Sequence, residues 1–101
     1  MRISKQHRKI LKELSSRHFG TNSQIYLFGS RTDDSRRGGD LDLYVSDYAL
    51  SDSQQLKAKI DFLVEAKRLL GDQRIDLVFA PLPGQKELPI HQQAKATGIC
   101  L

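Results

Sequence analysis

The sequence has few of the features that form disulfide bonds, span a membrane or direct secretion. Its 101 residues include a single cysteine, Cys100, which cannot form an internal disulfide. Its longest apolar run is far shorter than the ~20 residues that a membrane helix needs. The basic start of the chain has neither the apolar stretch nor the small-residue cleavage site of a secretion signal. We therefore expect a cytoplasmic protein with no membrane segment.

Internal repeats and low-complexity linkers are also absent from the sequence. The length of 101 residues predicts one domain, residues 1–101, rather than two independently folding units. With 39% hydrophobic and 28% charged residues, the composition is that of an ordinary globular domain. It excludes a disordered tail, a collagen and a coiled coil.

Positive charge is concentrated at the beginning of the chain. The net charge is +4 overall, with +5 in residues 1–30 and −2 in residues 31–50. Periodicity predicts an amphipathic helix over residues 2–18, with its cations opposite an apolar stripe. Such a face can bind nucleic acid, but no aromatic residues are interleaved with the cations to stack on bases. A solvated helix face is the favoured interpretation.

The remaining hydrophobic pattern predicts alternating strands and helices. Two-residue alternation and β-branched runs indicate strands, and three-to-four-residue spacing indicates helices. The predicted elements after the first helix are strands at 24–28, 40–45 and 74–80, and helices at 52–70 and about 89–98. This order predicts an α/β (α+β) domain, a small mixed β-sheet with helices packed on its apolar face.

The second predicted helix is apolar on two sides. One stripe, expected to face the core, consists of Leu56, Ile60, Leu63, Val64 and Leu70. A second apolar set, Phe62, Ala66 and Leu69, lies away from it. Two interpretations of this second set stay open: an interface with a partner, or packing against the C-terminal helix.

Three aspartates are predicted to share the polar face of the sheet. Asp40 and Asp42 project from one side of a strand, with α-carbons about 6.6 Å apart. Asp76, on another predicted strand, projects from the same side of the sheet. Neighbouring carboxylates repel each other, and hard divalent ions such as Mg²⁺ take oxygen ligands. One interpretation is therefore that the three aspartates bind divalent ions. The alternative is that they form a solvated strand face whose charge is balanced by arginines of the preceding loop.

A glycine-serine turn precedes these acids. Gly29 and Ser30 lie at the end of the first predicted strand, and nine residues separate Ser30 from Asp40. Glycine permits close approach of backbone N–H groups to a phosphate, and the serine hydroxyl adds a donor. The combination predicts a polyphosphate held above metal ions bound by the second strand.

The stretch LFGSRTDDSRRGGDLDLYV, from Leu27 to Val45, resembles the signature of the DNA polymerase β nucleotidyltransferase superfamily. It is most similar to the minimal nucleotidyltransferases, small domains of about this length. Their third aspartate lies in a context similar to RIDLV, residues 74–78. The specific motifs are confined to these two segments, and Gly39 stands where the family usually has serine. The resemblance implies the nucleotidyltransferase fold for the whole domain.

The resemblance also implies a metal site. Asp40 and Asp42 would bind two Mg²⁺ ions, for which Mn²⁺ can substitute. Asp76 would complete one metal site and help to deprotonate the acceptor hydroxyl. The implied reaction is attack of a hydroxyl on the α-phosphate of a nucleoside triphosphate, with loss of pyrophosphate.

The same resemblance implies a nucleotide site and a protein partner. Gly29 and Ser30 would hold the β- and γ-phosphates of ATP, with Arg31 as a cationic helper. Many minimal nucleotidyltransferases are antitoxins encoded with a HEPN-domain ribonuclease toxin, and some of these toxins are inactivated by attachment of AMP to a tyrosine. At a length of 101 residues we expect no separate acceptor-binding domain. Two alternatives stay open: a non-catalytic antitoxin, and a small basic nucleic-acid-binding module. Self-association is also left open.

Overall fold

The computed structural model describes residues 3–29, 40–71 and 73–101. Within them the chain forms three helices and one mixed sheet of four strands. The elements in chain order are α1 (Lys5–Phe19), β1 (Gln24–Phe28), β2 (Asp40–Ser46), α2 (Asp52–Leu70), β3 (Arg74–Phe79), α3 (Pro89–Thr97) and β4 (Ile99–Cys100). The predicted order and mixed α+β class are confirmed, and β4 is an additional short strand that the pattern did not predict.

The sheet has the strand order β3-β2-β1-β4. β1 pairs antiparallel with both β2 and β4, whereas β2 and β3 are parallel. The parallel pair needs a crossover connection, and α2 supplies it. The central position of β1 and β2 explains why both are rich in large apolar side chains.

The main core lies between one face of the sheet and the helices α1 and α2. Phe19 of α1 and Phe62 of α2 meet at its centre, with ring centroids 4.9 Å apart. Other fully buried side chains of this core come from α1 and the two central strands: Leu11, Leu14, Leu27, Leu41, Leu43 and Val45. The alternation predicted for β2 and β3 is confirmed, because Leu41, Leu43 and Val45 of β2 and Ile75, Leu77 and Phe79 of β3 all face this core.

The third helix, α3, lies on the opposite face of the sheet. Its Ala94 is buried in a second, smaller cluster with Phe28 and Tyr44. The prediction that the helices pack on one apolar face is therefore wrong for α3. The aromatic side chains on the outward positions of β1 and β2 give this face enough apolar area to hold a helix.

The two apolar stripes of α2 only partly follow the prediction: in the first stripe Leu70 is buried in the core and Leu63 packs against it, but the other members are exposed. Phe62 is fully buried and Ala66 is also in the core, whereas Leu56 is 68% exposed. Phe62 packs against α1 rather than α3, so the predicted contact with the C-terminal helix is wrong. Leu69, the third member of the second set, is 45% exposed and does not share the burial of Phe62 and Ala66.

Two helices have hydrogen-bonded N-termini. Before α2, Ser51 donates its backbone N–H to Gln54 Oε1 at 2.9 Å, which is one half of a capping box. Ser4 caps α1 by accepting a hydrogen bond from the His7 backbone N–H at 3.1 Å. No helix in the described part of the chain is long and apolar enough to cross a membrane.

Candidate active site

Two of the three predicted aspartates are direct neighbours across the parallel strand pair. Asp42 and Asp76 are each the third residue of their strand, and they are register partners. Adjacent strands lie about 4.8 Å apart, so the two residues leave the sheet side by side. The sequence prediction that they share a face is confirmed.

Packing on the far side of the sheet fixes the direction of these carboxylates. Leu41 and Leu43 flank Asp42 along β2, and both are buried in the main core. Ile75 and Leu77 flank Asp76 in the same way. Because side chains alternate along a strand, burial of the flanking residues forces both aspartates to the other face.

Asp76 has a cationic neighbour that sequence analysis did not select. Arg74 Nε lies 3.8 Å from Asp76 Oδ2, and the two side chains are 74% and 53% exposed. Such an exposed pair contributes at most about 1 kcal/mol to stability. Two-residue alternation places Arg74 on the face of Asp76, so the strand pattern contained the signal for this residue.

Gly29 brings the end of β1 against the carboxylate of Asp42. It follows Phe28, the register partner of Asp42. Its φ of +76° lies in the left-handed region, and an added Cβ would collide with Asp42 Oδ2. Glycine is thus required here both by the backbone conformation and by the close approach of the acid. The predicted proximity of the turn and the acids is confirmed for this pair.

The remaining predicted site residues are only partly covered by the structure. Asp40 opens β2 as the register partner of Arg74. Its side chain lies outside the description. Ser30 and Arg31 lie entirely outside the described residues. The structure therefore brings together Gly29, Asp42 and Asp76, to which it adds Arg74.

The donor chemistry of this cluster suits a hard cation. Carboxylate oxygens from two adjacent strands are the ligand type that Mg²⁺ prefers, with water completing its octahedral shell. Among the described side chains, no three metal-ligating residues form a group. The third predicted ligand is Asp40, two residues before Asp42 on the same strand. Asp42 and Asp76 therefore fit part of a magnesium site.

An open cleft of about 310 Å³ lies farther along the same face of the sheet. The rings of Tyr26 and Tyr44 line it with centroids 6.0 Å apart, and Lys95 of α3 forms another part of its wall. Burial raises the pKa of the Tyr44 hydroxyl, so this tyrosine is neutral at physiological pH. Sequence analysis missed the cleft because it is formed only when α3 packs on this face.

Fold and cluster together define a small α+β domain with paired carboxylates at the start of a parallel strand pair. Comparison with protein-family models and with curated proteins finds no match for the chain. The sequence motifs and this geometry are therefore the basis for proposing a function.

Proposed function

We propose that the protein is a Mg²⁺-dependent nucleotidyltransferase. It transfers a nucleoside monophosphate, AMP from ATP, to a hydroxyl acceptor. The observation that carries the proposal is the register pairing of Asp42 with Asp76 beside Gly29. Carboxylates at neighbouring register positions supply the oxygen ligands that Mg²⁺ takes, so this pairing supports a cation-dependent function.

Each residue of the cluster has a distinct part in this proposal. Asp42 and Asp76, with Asp40, would hold the metal ions. Bound Mg²⁺ neutralises the charge that develops at the phosphorus and orients the triphosphate. Gly29 and Ser30 hold the β- and γ-phosphates, and Arg31 adds a positive charge beside them. Arg74 lies close enough to Asp76 to keep that carboxylate oriented.

The reaction follows from these positions. The acceptor oxygen attacks the α-phosphorus and forms the new P–O bond, while the bond to the β-phosphate breaks and pyrophosphate leaves. Asp76 helps to take the proton of the acceptor hydroxyl. Its side chain is 53% exposed, so a hydroxyl presented by a second molecule can reach it.

The acceptor in this proposal is a tyrosine of a HEPN-type toxin, and the chain acts as its antitoxin. The exposed position of Asp76 on β3 supports an acceptor that arrives on another protein. In the described part of the chain, β3 pairs only with β2, which leaves its outer side accessible from one flank of the sheet.

Substitution of Asp42 tests the proposed reaction directly. We expect Asp42→Asn to abolish transfer of label from α-labelled ATP to a co-purified partner in the presence of Mg²⁺, while circular dichroism stays unchanged. Asp47→Asn is a matched control, because Asp47 is an exposed aspartate at the other end of β2. Wild-type transfer rates in Asp42→Asn would refute the proposal.

A binding measurement separates the enzyme from a non-catalytic antitoxin. We expect Mg²⁺ with ATP to raise the melting temperature of the wild type and of Asp47→Asn, but not of Asp42→Asn, because a ligand stabilises only a folded state that binds it. A wild-type protein that binds the partner without thermal response to Mg²⁺ and ATP, and without labelling it, is a non-catalytic antitoxin.

A further inference from the structure

Arg74 places a positive charge beside the paired carboxylates of the candidate site. It lies two residues before Asp76 on β3, and Ile75 between them is buried in the main core. Arg74 Nε is 3.8 Å from Asp76 Oδ2, and Asp40 is the register partner of Arg74 on β2. Among the described residues, Arg74 is the only cation that forms an ion pair with Asp76. A cation that binds Asp76 therefore meets a positive charge that is already there.

The stability of the fold gives little reason for an arginine at this position. A distance of 3.8 Å is too long for a hydrogen bond between Arg74 and Asp76, and their side chains are 74% and 53% exposed. Water and salt screen an exposed pair of this kind, so it contributes little to folding. The exposed guanidinium also keeps its N–H groups accessible to an anion.

A positive charge beside Asp76 acts in opposite directions on the two ligands of the proposed reaction. It repels a free divalent cation that approaches the carboxylates, which weakens binding of the metal ion alone. It attracts the triphosphate, because a complex of ATP with one Mg²⁺ is still an anion and guanidinium groups bind phosphate oxygens through paired N–H groups. One side chain thus disfavours the free ion and favours its complex with the nucleotide.

We infer that Arg74 makes the site selective for the complex of metal and nucleotide over the free metal ion. In the absence of ligand, the guanidinium pairs with Asp76 and partly neutralises its charge. When the nucleotide complex binds, the phosphate oxygens offer the guanidinium a more strongly charged partner than one carboxylate. The inference rests on the proposed function, because it takes Asp42 and Asp76 as ligands of the metal ion.

The test measures two dissociation constants in the full-length protein. The first is that of Mn²⁺ alone, obtained from the loss of the electron paramagnetic resonance signal of the free ion. The second is that of α,β-methylene-ATP premixed with Mg²⁺, obtained by calorimetry. This analogue binds without reacting, because a methylene group replaces the oxygen of the bond that would break.

Removal of the charge at position 74 should change the two constants in opposite directions. Arg74→Gln should bind Mn²⁺ alone about three- to tenfold more tightly than the wild type, and the nucleotide complex about three- to tenfold more weakly. Both differences should become smaller as salt is added, because salt screens exposed charges. A purely structural role of Arg74 would weaken both bindings together.

Two further variants supply the controls. Arg74→Lys keeps the positive charge and should bind Mn²⁺ alone within about twofold of the wild type. Arg17→Gln is the matched control, because Arg17 is also an exposed arginine paired with a carboxylate, Glu65 at 3.1 Å. Arg17 belongs to α1, which packs on the other face of the sheet, so its loss should change either constant by less than about twofold.

The outcomes separate this inference from the proposed function. If the wild type binds Mn²⁺ and the nucleotide complex, but Arg74→Gln shifts both constants in the same direction or shifts neither, the inference is wrong and the proposed function stands. An equal pair of shifts in Arg17→Gln would also overturn the inference, since net charge rather than position would then be responsible. A wild type that binds neither ligand would overturn the proposed function together with the inference.

Discussion

At the scale of single residues, Gly29 is subject to two separate constraints. Its φ of +76° disfavours any side chain, and the space where a Cβ would lie is taken by the Asp42 carboxylate. The sequence predicted that this glycine belongs to a phosphate-binding turn. The structure adds that the same glycine permits the acid to lie against the backbone at the end of β1.

We expect Gly29→Ala to lower the free energy of unfolding by about 2–4 kcal/mol, because backbone strain and displacement of Asp42 add together. Gly84→Ala is the control: Gly84 has a similar φ of +89° but nothing within 4 Å of an added Cβ. It should cost only about 1 kcal/mol. Urea denaturation measures both, and equal losses would show that the contact with Asp42 is unimportant.

The pairing of Asp42 with Asp76 is the part of the site that the sequence could not predict. Alternation along β3 predicted the side of the strand from which Asp76 projects. The same alternation could have predicted that Arg74 projects from that side. Parallel pairing could not be deduced from alternation, because each strand has the same pattern whichever neighbour it takes. The register of Asp42 with Asp76 is therefore a tertiary result.

At the scale of secondary-structure elements, α2 shows that the sequence pattern does not determine which side of a helix is buried. Its sequence contains two apolar stripes roughly 120° apart at 100° per residue. Periodicity identifies both stripes but contains no information about which one meets the sheet. Packing decides this, because only the side with Phe62 places a large ring against Phe19 in the core.

Substitutions in the two stripes should differ sharply in their effect on stability. Phe62 is fully buried, so Phe62→Ala should lower the free energy of unfolding by about 3–5 kcal/mol. Leu56→Ala, at a position 68% exposed, should change it by less than about 0.5 kcal/mol. Thermal or urea unfolding measures both losses, and similar losses in the two variants would mean that Leu56 is buried.

The contact between α1 and α2 includes a carboxylate with a shifted titration. Glu65 Oε2 lies 2.6 Å from His18 Nε2, and Arg17 Nη1 is 3.1 Å from Oε1. The hydrogen bond with His18, followed by the charge of Arg17, lowers the pKa of Glu65 below its usual 4.5. The folded state therefore takes up this proton at lower pH than the unfolded state.

The sign of the pH dependence follows from that difference. The contribution of Glu65 to stability is fully present above pH 4.5 and is lost as the pH falls through the lower folded-state pKa. We expect the melting temperature of Glu65→Gln to fall less steeply than that of the wild type as the pH is lowered below 4.5. Glu13→Gln, which changes an exposed acid of α1, is the control. An unchanged pH profile in Glu65→Gln would show that the contact is not formed in solution.

At the scale of the whole molecule, the end of the chain completes the sheet. Leu101 is 4% exposed and belongs to the main core, and its backbone N–H donates to the Ile25 carbonyl at 2.9 Å. Arg8 Nε donates to the Leu101 carbonyl at 2.8 Å. One cation of the basic helix therefore has a structural role, which weakens the interpretation of that helix as a nucleic-acid-binding face.

We expect Leu101→Ala to lower the free energy of unfolding by about 2–4 kcal/mol, because it removes buried apolar volume where the chain end closes the core. Ile99→Ala is the control: Ile99 is also a large aliphatic residue, but it is 38% exposed. Its loss should be about 1 kcal/mol or less. A small effect of Leu101→Ala in urea denaturation would mean that the chain end is not docked.

The sequence by itself determined the helices and the three longer strands, because hydrophobic period, caps and breakers are local properties. It also determined that Asp42 and Asp76 face away from the core, since alternation is fixed within each strand. Only the tertiary structure decided that β2 and β3 are parallel, that α3 packs on the second face and that Phe62 rather than Leu56 meets the core. The physical reason is that these choices depend on which surfaces fit together, and such fit involves residues far apart in the chain.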